Sequence, residues 1–87
     1  MDNTIIAKTE AYIWMLNGLL ASYGRYADDE GIDLSNNTSD FGKIYYAIVE
    51  EERKIRFYNT AEALDNCKKL IDKAKIKLEE LGGSYLG

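Results

Sequence analysis

The side chains able to do chemistry here are carboxylates, lysines, tyrosines and one thiol, and no histidine accompanies them. Without histidine there is no imidazole general base, no Ser-His or Cys-His dyad and no histidine-bound metal. Glu50, Glu51 and Glu52 are consecutive, so a helix aims them in three directions and they cannot converge on one ligand. Cys67 is the single cysteine. It falls on an apolar stripe, where a thiol behaves as a small hydrophobe, and alone it can neither build a cysteine-rich zinc site nor bridge internally. Gly31 and the Gly82–Gly83 pair read as isolated turn glycines, not as a phosphate-cradling loop. Asp28, Asp29, Glu30 and Asp33 crowd one stretch, yet the EF-hand spacing fails: counting back from Gly31 puts Tyr26 where the first ligand belongs. The chain is therefore expected to be no enzyme, with no catalytic residue, cofactor or metal.

What remains is charge and apolar surface, and both are unevenly spread. The net charge of −4 divides into ten acids against three bases over residues 1–52, a balance of −7, and eight bases against five acids over 53–87, a balance of +3. Between Asp28 and Glu52 lie eight acids and one base, Lys43. Gathered on one face, they would imitate a phosphate backbone toward a basic partner. The basic residues Arg53, Lys54, Arg56, Lys69 and Lys73 support the rival reading, a nucleic-acid-binding accessory factor.

Three amphipathic segments must position these groups. Leu64, Cys67, Ile71, Ala74, Leu78 and Leu81 step by three and four residues, so the spacing predicts a helix over 59–81. Asn59 stands three residues before Glu62, as in a capping box, and Gly82–Gly83 follow where a left-handed cap would sit. A first helix is predicted over 4–26, capped by Asp2 or Asn3, with Ile5, Tyr12, Ile13, Leu16, Leu19, Leu20 and Tyr23 on its main face. Its other side is also apolar or small: Ala7, Ala11, Trp14, Gly18 and Ala21. Such a helix is covered on more than one side. Either the other helices pack on both of its faces, or the Trp14 side is a homodimer seam. A second helix is predicted over 40–57, capped by Ser39 or Asp40, burying Phe41, Ile44, Tyr45, Ile48 and Ile55. Glu52 intrudes on that face, and Arg56 one turn later is its natural partner. The hydrophobic phase changes between Ile55 and Leu64, which argues for a break at 58–60; the alternative is one helix continuous from 40 to 81. Residues 27–40 read as a solvated acidic loop and 82–87 as a flexible tail that Tyr85 and Leu86 could pin back.

The expected fold is thus all-α, one domain over residues 1–87, a small three-helix bundle. The most apolar run is too short to span a membrane, and no basic region precedes it as a signal peptide requires. A lone thiol fits a reducing compartment, hence a cytoplasmic location. Rich in Ile, Lys, Asn and Tyr and lacking Pro and His, the composition resembles that of small reading frames from AT-rich bacteria and their phages. The expected function is non-catalytic protein binding, as an inhibitor or adaptor from a phage or mobile element that occludes another protein. Its contact residues would be Asp28, Asp29, Glu30, Asp33, Tyr46, Phe57 and Ile76, with the Trp14 stripe serving dimerisation. A self-assembling structural protein is a further alternative.

Overall fold

The computed structural model describes residues 3–35 and 39–85. It is a three-helix bundle: α1 spans Asn3–Glu30, α2 Asp40–Phe57 and α3 Ala61–Glu80. Phe41, at the start of α2, stacks on Tyr23 near the end of α1 (centroids 4.7 Å apart), while Tyr26 of α1 reaches the end of α3 at Leu81. Helices α1 and α2 are therefore antiparallel, and α3 returns alongside α1. At about 1.5 Å per residue α1 is about 42 Å long against about 27 and 30 Å for its partners, so it overhangs them.

One apolar stripe from each helix meets at the centre. Leu16, Leu19, Tyr23 and Ala27 come from α1, Phe41, Ile48 and Ile55 from α2, and Cys67, Ile71, Ala74 and Leu78 from α3. Apart from Ala27, which the sequence places in the loop and the structure buries within α1, these are the spacings that the periodicity predicts. Tyr23 is fully buried and brings a hydroxyl into this core, where it donates to the Ala74 carbonyl at 2.7 Å. Burial with a neutral partner pushes its pKa up to about 12, because the phenolate would be stranded without water. Buried hydroxyls elsewhere turn back on their own helix: Thr9 donates to Ile5 O and Ser22 to Gly18 O.

The helix ends differ in part from the expected ones. Helix α1 continues to Glu30, so Asp28, Asp29 and Glu30 belong to its last turn and not to a loop; the connection shrinks to 31–39. It stops because Gly31 takes φ +70°, after which Ile32 N–H bonds Ala27 O at 2.8 Å and Gly31 N–H reaches Asp28 O. The same device closes α3: Gly82 has φ +88°, Gly83 N–H bonds Leu78 O and Gly82 N–H bonds Glu79 O. Leu81 is consequently the cap residue and is exposed, not the last member of the buried stripe. Ser39 caps α2 as expected, its hydroxyl accepting from Gly42 N–H. Helices α2 and α3 are separate, and the cap of α3 is Thr60, one residue beyond Asn59, accepting from Ala63 N–H at 3.1 Å. Of the two candidate caps for α1, Asn3 is the first helical residue and Asp2 lies outside the described residues.

The tail is placed as far as Tyr85. Gly83 passes so close to α3 that a Cβ there would lie 2.6 Å from Leu78 Cδ1 and 3.1 Å from Tyr26 Cδ2. That turn sends Tyr85 back over the bundle, where Lys75 Nζ sits 4.5 Å from its ring centre. The expected flexible tail is, over Gly82–Tyr85, a docked one; Leu86, the other proposed anchor, lies outside the described residues.

Candidate functional site

Glu52, the carboxylate on an apolar face, is a structural tie. Its Oε1 lies 3.0 Å from Arg56 Nη2 one turn on. With the Asn17 amide turned so that its NH2 faces α2, that nitrogen donates to Glu52 Oε1 at 2.9 Å and to Oε2 at 3.3 Å. The carboxylate, 19% exposed, thus links α1 to α2 at the edge of the core. Asn17 could be found from sequence only as an interruption in an apolar run; its partner required the helices to be docked.

Cys67 is wholly buried, and desolvation, with Glu51 nearby, pushes its pKa up to about 12. A thiol held neutral and out of reach is no nucleophile at neutral pH. Among the described residues, no three Cys, Asp or Glu side chains gather as a metal site would require.

The acids at the end of α1 are exposed, as is Asp33. Asp33 accepts from the Ser35 amide at 2.9 Å and hydroxyl at 2.6 Å, which lowers its carboxyl pKa. Asp28, Asp29 and Glu30 stand in the last turn of α1, which holds no base. Carboxylates there oppose the helix dipole, at a cost of about 0.3–1 kcal/mol each near the surface. Asp29 and Glu30 also border a hollow of about 380 Å³ with Arg25, Tyr26 and the Gly82–Ser84 turn.

The apolar candidates are mostly uncovered. Trp14 is 73% exposed, with Ala7, Ala11 and Ala21 exposed and Gly18 partly so along the same stripe. Neither α2 nor α3 packs on that side, so the reading in which helices sandwich α1 on both faces is overturned. At the other end of α2 from the acids, Phe57 is 77% exposed and Tyr58 beside it 66%. Tyr58 was not among the expected contacts; its signal was its place at the phase break, where neither stripe can claim it. Tyr46 leans edge-on against Tyr45, centroids 5.8 Å apart, and keeps part of its ring in water. Ile76 is 55% exposed on α3.

The structure does not gather the seven expected contact residues into one patch. The acids cap the end where α1 meets α2, and Phe57 lies the length of α2 away, about 25 Å. Comparison with known protein families, with characterised proteins and with solved structures finds no match. No helix among the described residues is long and apolar enough to cross a membrane.

Proposed function

We propose that this protein is a non-catalytic protein-binding domain, an inhibitor or adaptor that works by covering another protein's surface. The observation that carries the reading is the exposure of Trp14, Phe57 and Tyr58 on a bundle whose core is otherwise complete. Large aromatic rings left in water on a small domain are the usual anchors of protein interfaces. The exposed acids of the last α1 turn, unopposed by any base in that turn, add a negative surface for a basic partner to meet. Within this reading the Trp14 stripe pairs two copies, its small residues letting the helices approach. Phe57, Tyr58 and the acidic end then engage the partner. The composition favours a bacterial or phage origin and a cytoplasmic setting.

Affinity capture from nuclease-treated bacterial lysate tests this, with wild type and Phe57→Glu compared side by side. The expected result is a protein retained by wild type after nuclease and lost from Phe57→Glu, with both forms equally helical by circular dichroism. Reversing Asp28, Asp29 and Glu30 to Lys should weaken the same capture. Retention that disappears with nuclease would instead favour a nucleic-acid accessory role. Sedimentation equilibrium tests the dimer: wild type should self-associate and Trp14→Glu should not, and a monomer at every concentration would end that part.

A further inference from the structure

The side chains of α3 and the start of α2 frame a second surface, distinct from the Trp14 stripe and the Phe57 corner. Ile44, Ile76, Lys69, Lys73 and Lys77 border a hollow of about 490 Å³. It continues through Ile44, Lys73 and Lys77 into one of about 310 Å³ that Lys43 also lines. Ile44 is half-buried and Ile76 mostly exposed, so the floor is apolar. The rim carries four ammonium groups. The ion pairs among the described residues are Glu52–Arg56 and Lys68–Asp72, so none of the four is neutralised by contact. Lys69, Lys73 and Lys77 follow one another at intervals of four, a single ridge along α3 with about 6 Å between successive charges.

Resting on the protein-binding reading above, we infer that this lysine-rimmed trough is a docking site for an acidic amphipathic helix of a partner protein. An apolar stripe on that helix would cover Ile44 and Ile76. Carboxylates one turn apart along its flank would meet Lys69, Lys73 and Lys77 at matching intervals. The acids of the same surface argue against a nucleic acid. Asp40 and Glu80 edge the trough, and a phosphate backbone, charged at every nucleotide, cannot offer them a neutral face. A helix places its charges a turn apart and can. Asp72 is no obstacle, because Lys68 Nζ lies 2.7 Å from both its oxygens.

Fluorescence anisotropy with the full chain tests the assignment. The probe is a fluorescein-labelled helical peptide with leucines at i and i+4 flanked by glutamates at four-residue spacing. Controls are the same peptide with every Glu changed to Lys and a labelled DNA duplex. The expected result is saturable binding of the acidic peptide alone. Lys69→Glu with Lys73→Glu should weaken it about tenfold or more, and Ile76→Ser about fivefold, since charge reversal and loss of an apolar anchor act on a desolvated contact. All these positions are exposed, so the variants should keep the wild-type circular dichroism. Absence of saturable binding, equal binding of the basic peptide, or stronger binding of the duplex each overturns the assignment. The lysine variants also go into the lysate capture. A partner lost with Phe57→Glu but kept by the lysine pair removes this trough and leaves the protein-binding function standing. A partner that no form captures fails that function itself.

Discussion

Replacing Tyr23 by Phe removes one oxygen from the most enclosed aromatic in the bundle and leaves its stack on Phe41 intact. At neutral pH the loss is the 2.7 Å bond to the Ala74 carbonyl. That carbonyl keeps its place in the α3 ladder, so the change should cost about 1 kcal/mol, the net value of a typical buried hydrogen bond. For a domain of this size it lowers the melting temperature by about 4–8 °C. Alkaline pH reverses the order. The folded-state pKa of Tyr23 is raised from 10.0 to about 12, so the folded protein holds the proton more tightly than the unfolded chain. Its contribution is complete below pH 10 and is lost as pH climbs toward 12. At about 1.4 kcal/mol per pKa unit, some 1.4 kcal/mol is gone by about pH 11, enough to cancel the neutral-pH advantage. Cys67 loses stability over an overlapping range, but equally in both proteins, so it drops out of the difference. Paired thermal melts of wild type and Tyr23→Phe from about pH 7 to 11.5 should therefore converge near pH 11 and then cross. Parallel curves, or no difference at neutral pH, would refute the argument that Tyr23 is a desolvated donor.

Gly83→Ala should lower stability by about 1–3 kcal/mol in denaturant titration, because its Cβ would meet Leu78 Cδ1 at 2.6 Å inside a packed turn. Thr60→Ala should cost about 1 kcal/mol by the same measurement, whereas Asn59→Ala stays within about 0.5, since Thr60 makes the cap bond. Cys67 should react with a soluble disulfide reagent only as fast as the protein unfolds; rapid labelling of the native state would contradict its burial.

The three helices and their inward stripes are legible without coordinates, because periodicity is a property of neighbouring residues along one chain. Leu16, Leu19, Ile48, Ile55, Ile71 and Leu78 are core by spacing alone. The Ser39 cap and the Gly82 stop are likewise local chemistry, readable from residue type. Helix α1 outruns its predicted end because Asp28, Asp29 and Glu30 have the composition of a loop, yet each remains helical until Gly31 offers a left-handed exit. Asn59 and Thr60 are both good caps by type, and only the backbone path chose Thr60. Other features exist only once helices are docked. Glu52 meets Asn17 across thirty-five positions of sequence, and Tyr85 folds back onto Lys75 through a turn in which Gly82 is left-handed and Gly83 lies close against Leu78. The fate of the Trp14 stripe belongs to the same class. A helix that is apolar on two sides announces two contacts, but which side the other helices take is set by how all three stripes fit together. Helices α2 and α3 fill one side of α1 and also pack on each other, and Trp14 is left facing water.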